Sequence, residues 1–269
     1  VRILFAITIA GLTLLAGLPA GPAAAQPPFD RLVVFGDSLS DTGNAGRFSD
    51  GPVWVEHLAR ALGLPLRPRA AGGTNHAVGG ARMSGANGLD RQVEAFLDER
   101  RRPGRALVVL YGGGNDVIAG AARQASPAEV EAAGRLVGRL VERLAAAGAT
   151  DILLPNLPDV GMTPAVAAYG PAAAAEARRL SRLFNEAAEA ALGAAGRTVR
   201  LHRLDVWSLA ERVRRDPASA GFRTVTEPCG GRGSCEGYLF HDGVHPTTAA
   251  HERLARAALE VLWGKPAGR

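Results

Sequence analysis

Apolar positions fall in short runs, punctuated by glycine, proline and polar residues. Residues 32–35 and Ala106–Tyr111 are unbroken apolar stretches that stop at Gly36 and at Gly112-Gly113-Gly114. Runs of this length bounded by turn residues read as strands buried on both faces. Shorter strands are expected at residues 74–78, Asp151–Pro155 and 199–204. Between them the spacing shifts to the helical period. Residues 53–62 carry Val53, Trp54, Leu58, Ala61 and Leu62 behind Pro52, and residues 89–100 are amphipathic. Ser126-Pro127-Ala128-Glu129 is a helix start, with serine as cap, proline first and glutamate third, opening a helix to about Ala147. Residues 164–195 form a long Ala-rich helical stretch with a break expected at Gly170-Pro171. Residues 211–237 read as loop, and residues 247–262 as a last amphipathic helix. Five strands alternating with helices imply a mostly parallel sheet covered on both faces, an α/β/α three-layer sandwich.

The chain has 269 residues, which suits one sizeable α/β domain. Residues 1–25 are expected to be a cleaved signal peptide: Arg2, an apolar run over 3–18, then Ala23-Ala24-Ala25 before Gln26. That leaves residues 26–269 as a single domain and implies a secreted or periplasmic protein. The formal net charge is +5, nearly all the base being arginine scattered among acids. Without a dense basic block, nucleic acid is not expected as a partner. A monomer is expected. Cys229 and Cys235 are the only cysteines. Close together around glycines in an exported chain, they read as a disulfide. Two such cysteines without further ligands nearby are weak evidence for zinc.

The candidate chemistry begins at Gly36-Asp37-Ser38-Leu39-Ser40, a serine on a sharp turn at the end of the first strand, where open α/β sheets hold ligands and nucleophiles. Acyl transfer through serine needs a base, a group that orients it, and donors for the oxyanion. His241-Asp242-Gly243-Val244-His245-Pro246 offers base and orienter: with Gly243 between them, Asp242 can fold back on His245 and leave the other ring nitrogen for Ser38. A metal held by His241 and His245 would require a helix, which Gly243 and Pro246 disfavour, so no metal is assigned. His57, His76, His202 and His251 read as structural. Donors are sought in Asn75 to Ala81, with its Gly79-Gly80 pair, and in Gly113-Gly114-Asn115-Asp116. No Gly-x-Gly-x-x-Gly or Walker pattern supports a phosphate site instead.

These four blocks, in this order, resemble the GDSL or SGNH hydrolase family, and the Asp-Thr-Gly-Asn following Ser38 is similar to its secreted bacterial lipases and esterases. The resemblance spans residues 32 to about 262. It implies a flavodoxin-like fold with a five-stranded sheet, and ester hydrolysis without a cofactor. It also implies Ser38 as nucleophile, His245 as base, Asp242 as orienter, and an oxyanion hole of Ser38, Gly80 and Asn115. Asp37, Asn75 and Asp116 belong to the motifs and are expected to hold turns. A small-molecule or lipid ester is the expected substrate, with transient contact to lipid surfaces. Carboxylesterase, lipase, phospholipase, lysophospholipase and carbohydrate O-acetylesterase activities all use this apparatus. An α/β-hydrolase would instead carry Gly-x-Ser-x-Gly in mid-chain, with acid and base well separated. A non-catalytic lipid- or sugar-binding relative would be expected to have lost one of these residues.

Overall fold

A computed structural model describes residues 28–99, 101–193, 198–231 and 233–264. The leader expected over residues 1–25 lies outside them. Among the described residues no helix is long and apolar enough to cross a membrane.

Four strands pair in parallel in the order β1 (Arg31–Gly36), β2 (Ala106–Tyr111), β3 (Asp151–Pro155), β4 (Arg200–Leu204). Every residue of β2 is buried, so this central strand has no polar alternation. Helix α1 (Trp54–Leu62) packs on α8 (Thr248–Trp263), while α2 (Leu89–Asp98), α3 (Gly114–Ala121) and α6 (Pro171–Ala191) pack on α4 (Pro127–Ala146). The two sets enclose the sheet as the outer layers of an α/β sandwich.

The single five-stranded sheet expected from the sequence is not what forms: the strands divide into this sheet of four and a separate pair. Residues 74–78 do run along the free edge of β1, with Val34 N–H donating to Thr74 O (3.0 Å), His76 N–H to Val34 O (2.8 Å) and Val78 N–H to Gly36 O (3.1 Å). Against β1 they make an isolated bridge, Val34 with Asn75, and no ladder; Asn75 bridges Pro68 on its other side. The next rung would need Gly36 N–H to reach His76 O, but Gly36 N–H donates instead to Gln92 Oε1 at 2.9 Å.

A second correction falls in the stretch read as loop. Helix α7 (Val206–Arg215) starts under an Asp205 cap that accepts the Ser208 N–H at 3.0 Å. Beyond it β5 (Thr224–Pro228) and β6 (Tyr238–Phe240) pair in parallel and rest on a small cluster of Val213, Phe222 and Val225, apart from the main core. Helix α3 was hidden by its glycines. Gly113 caps it at φ +107°, and a Cβ there would lie 2.3 Å from the Phe184 ring, so only glycine fits. The break at Gly170-Pro171 is present, separating the single turn α5 (Pro164–Ala167) from α6.

Candidate active site

Ser38 follows directly on β1, in a turn closed by Ser40 N–H and Asp41 N–H donating to Asp37 O, both at 3.0 Å. It is 7% exposed. The turn is held from three sides. Gln92 brackets Gly36, accepting its N–H and donating to its carbonyl, each at 2.9 Å. Trp54 Nε1 donates to Ser40 Oγ at 3.0 Å. The fully buried Asp41 carboxylate accepts four backbone N–H groups, from Gly43, Asn44, Ala45 and Gly79, at 2.7–2.9 Å. Asn75 Nδ2 donates to Ser40 O (2.7 Å) and Thr42 Oγ1 (3.0 Å), and Asn44 Nδ2 donates to the carbonyls of Asn75 and Ala77. These asparagines and Asp41 therefore tie the serine turn to the 75–79 segment.

His245 approaches from the other end of the chain, on the loop between β6 and α8. Asp242 Oδ1 accepts the backbone N–H of Val244 and of His245, both at 2.8 Å. Its Oδ2 lies 2.7 Å from His245 Nδ1, and His245 Nε2 lies 2.9 Å from Ser38 Oγ. With a carboxylate at Nδ1, the neutral ring carries its proton there and Nε2 accepts from the serine hydroxyl. Burial alone would raise the Asp242 carboxyl, but the two N–H groups and His245 outweigh it and hold it below the usual carboxylate range. The loop is tied down through Thr248 N–H to Asp50 Oδ1 (2.7 Å), Ser49 Oγ–H to Pro246 O (3.0 Å) and Ala165 N–H to Gly243 O (2.8 Å).

Asn115 opens α3, and its Nδ2 donates to Ala81 O at 2.8 Å. One amide hydrogen is thus used to orient the group, leaving the other for a ligand. Ser38 and Asn115 line the same cavity, of about 160 Å³. Gly80 is exposed on the adjoining turn, at φ +77°, and is not among the residues lining that cavity. Away from Ser38 the cavity wall is apolar, with Leu157, Val160, Met162, Leu209, Phe222 and Leu239. Burial pushes Asp37, beside Ser38, up to about 7, opposed by the Leu39 N–H and helped by the charge of Asp116. Burial also raises Asp116, against the pull of the Met83 N–H its carboxylate accepts at 2.9 Å.

The placement of Phe48, and of His241 against the cysteines, carried no signal in the sequence pattern, whereas the Cys229–Cys235 bridge is the one expected. The Phe48 ring lies 5.2 Å from that of His245, and it fills the space over Gly79, where a Cβ would be 2.3 Å away. It sits in a polar turn that periodicity cannot resolve. Cys229 and Cys235 form a disulfide, and His241 Nδ1 lies 3.9 Å from each sulfur. His241 and His245 thus serve different neighbours. Of the histidines read as structural, His202 bonds Asp151 (2.8 Å) and His57 bonds Thr248 (3.1 Å). His76 and His251 are buried with both ring nitrogens unpartnered.

Fold and sequence together define a class: a carboxylic ester hydrolase on an open, mostly parallel α/β sheet. Residues 32–258 match the GDSL-like Lipase/Acylhydrolase family, and the chain belongs to that family. It is 29% identical to a phosphatidylcholine-sterol acyltransferase of Aeromonas hydrophila, over 92% of this chain and 94% of that protein. It is 32% identical to esterase EstA of Pseudomonas aeruginosa, over 93% of this chain but 49% of the relative, so it spans about half of that protein. Among solved structures, a member of the lipolytic G-D-S-L family from Veillonella parvula superposes with a TM-score of 0.53 at 16% identity, covering 88% of this chain and 99% of that one. At that identity the likeness speaks for the fold.

Proposed function

We propose that this protein is an exported serine carboxylesterase of the lipase type, cleaving esters of medium to long acyl chains. The observation that carries the reading is the Asp242–His245–Ser38 hydrogen-bonded chain opening onto an apolar cavity. In the reaction, Ser38 Oγ attacks the ester carbonyl while His245 Nε2 takes its proton, and Asp242 stabilises the imidazolium that forms. The backbone N–H groups of Ser38 and Gly80 and the side chain of Asn115 serve the developing oxyanion. His245 returns the proton to the leaving alkoxide, and the alcohol departs. Water, activated by His245, then hydrolyses the acyl-enzyme.

The acyl chain extends from Ser38 past Leu157, Val160 and Met162 toward Phe222. An acetyl group would leave that wall uncovered, which favours lipid esters over carbohydrate O-acetyl groups. The likeness to a phosphatidylcholine-sterol acyltransferase supports a second reading, phospholipase action through the same serine. Export to the periplasm or beyond, with transient contact to lipid surfaces, is part of the proposal. A p-nitrophenyl ester series from acetate to palmitate tests it. The expected result is kcat/KM rising from acetate to a medium or long acyl chain. A maximum at acetate with a steady fall thereafter would overturn the chain-length assignment.

A further inference from the structure

We propose that the reduced form of this protein binds a soft divalent cation, such as Zn²⁺, between Cys229 Sγ, Cys235 Sγ and His241 Nδ1. These three atoms lie within 4.8 Å of one another, with the imidazole nitrogen 3.9 Å from each sulfur. Two thiolates and an imidazole are a donor set suited to zinc, with a fourth position left to water.

The backbone arranges most of the site independently of the disulfide. Parallel pairing of β5 with β6 and the Cys229 N–H bond to Phe240 O (2.9 Å) fix residue 229 beside residue 241. His241 is held in turn by its own N–H bond to His245 O at 2.8 Å. Only Cys235 has to move. Zn–S bonds of about 2.3 Å in a tetrahedron place two sulfurs about 3.8 Å apart, and each about 3.5 Å from a ligating nitrogen. The sulfur–nitrogen distances are thus already near their target, and only the two sulfurs must separate. Gly230, Gly231 and Gly233 precede Cys235 and let that segment yield. Cys229 is buried, whereas Cys235 and His241 are partly exposed, so an ion has an entry path.

The chemistry balances with a dithiol or a phosphine as reductant. Two electrons and two protons convert the disulfide to two thiols, while a dithiol closes to its own disulfide or a phosphine and water yield the phosphine oxide. Metal binding then releases the two thiol protons. Because His241 adjoins Asp242, the ion would restrain the same loop that the disulfide restrains in the oxidised protein.

The full chain, reduced with a phosphine and freed of it without oxygen, is titrated with Cd²⁺ while the thiolate-to-metal absorbance is followed, and Zn²⁺ is then added as competitor. The expected result is one ion per chain in the reduced protein and none in the oxidised protein. His241→Ala should weaken binding at least about tenfold, and Cys229→Ser/Cys235→Ser should abolish it. Since unfolded thiols also take up metal, the reduced chain in concentrated urea serves as reference, and the folded protein should bind at least tenfold more tightly. Binding no tighter than in urea, unchanged binding in His241→Ala, or no uptake at all would each overturn the site.

Discussion

Ser38 sits on a turn built around a fully buried carboxylate, whereas His245 arrives on a short loop whose carboxylate is half exposed and which is anchored at its ends by single hydrogen bonds to Asp50, Ser49 and Ala165. Asp41, behind the serine, is fully buried and satisfies four backbone N–H groups, while the Asp242 side chain is 46% exposed and satisfies two besides the imidazole. The serine turn caps the main core. The base loop follows β6, whose partner strand rests on a separate cluster of three buried residues. In the proposed reaction a serine held this firmly needs little reorganisation in the transition state. A loop with a half-exposed carboxylate, held by a few single hydrogen bonds, makes the proposed proton transfer sensitive to local changes that leave the fold standing.

The largest effects should come from breaking the hydrogen-bonded chain itself. Ser38→Ala and His245→Ala should each lower kcat at least about a thousandfold, with little change in thermal unfolding. Asp242→Asn should cost less than either. Unfolding that shifts in step with activity in His245→Ala would show the loop to be structural rather than a mount for the base.

On the serine side the expected pattern is reversed. Asp41→Ala leaves four backbone N–H groups without their acceptor and should destabilise the fold by about 3 kcal/mol or more. Denaturant unfolding checks this; a change under 1 kcal/mol would mean the turn is not over-determined. Asn115→Ala removes a proposed oxyanion donor, worth about 2.7–4 kcal/mol or roughly 10²–10³ in kcat, with KM nearly unchanged. A mutant that mainly raises KM would make Asn115 a substrate-binding residue.

Two buried rings, one near each half, give a pH test. Burial holds His76 down to about 4, among Arg69, Glu99 and Arg101, and His251 down to about 3, near His57, His245 and Arg47. Both native values are depressed, so as pH falls below about 6.5 the unfolded chain binds protons that the native protein refuses, and stability drops. Each ring contributes about 1.4 kcal/mol per pH unit between roughly pH 6 and 5. Asp37 and Asp116, whose native values are raised, act in the opposite direction and offset part of this. His251→Leu should therefore flatten the fall in melting temperature between pH 6.5 and 5. An unchanged slope would mean that His251 is protonated in the native protein.

The disulfide should contribute less to stability than Asp41. It closes a separation of six residues, which the chain-entropy model values at roughly 2 kcal/mol. Reduction in the presence of a chelator should lower kcat while moving global unfolding only slightly. A lower melting temperature with full turnover would make the bridge a staple alone.

The contrast between the halves also explains what was legible in the sequence. Leu32 to Gly36 and Ala106–Tyr111 read as strands because burial on both faces leaves no polar residue to confuse the pattern. Ser38, Asp242 and His245 stood out because the turns that place them need glycine and short-range carboxylate bonds. The edge segment at 74–78 does lie along β1 as the strand expectation has it, but no local pattern registers that the distant Gln92 takes the Gly36 N–H that the ladder needs. Helix α7, β5 and β6 were missed for the opposite reason. Partly exposed and supported by a three-residue cluster, they carry little apolar signal. Phe48 and the nearness of His241 to the cysteines arise from packing between distant segments, which no local pattern encodes.

The central claim, that Ser38 and His245 act as one unit in forming an acyl-enzyme, is tested most directly by covalent labelling. The protein is incubated with a fluorophosphonate carrying a long alkyl chain, and the site and rate of labelling are followed by mass spectrometry. The account predicts one adduct per chain, on Ser38, absent in Ser38→Ala and slowed at least a hundredfold in His245→Ala. An adduct on another residue, or labelling of Ser38 that is indifferent to the loss of His245, would contradict it.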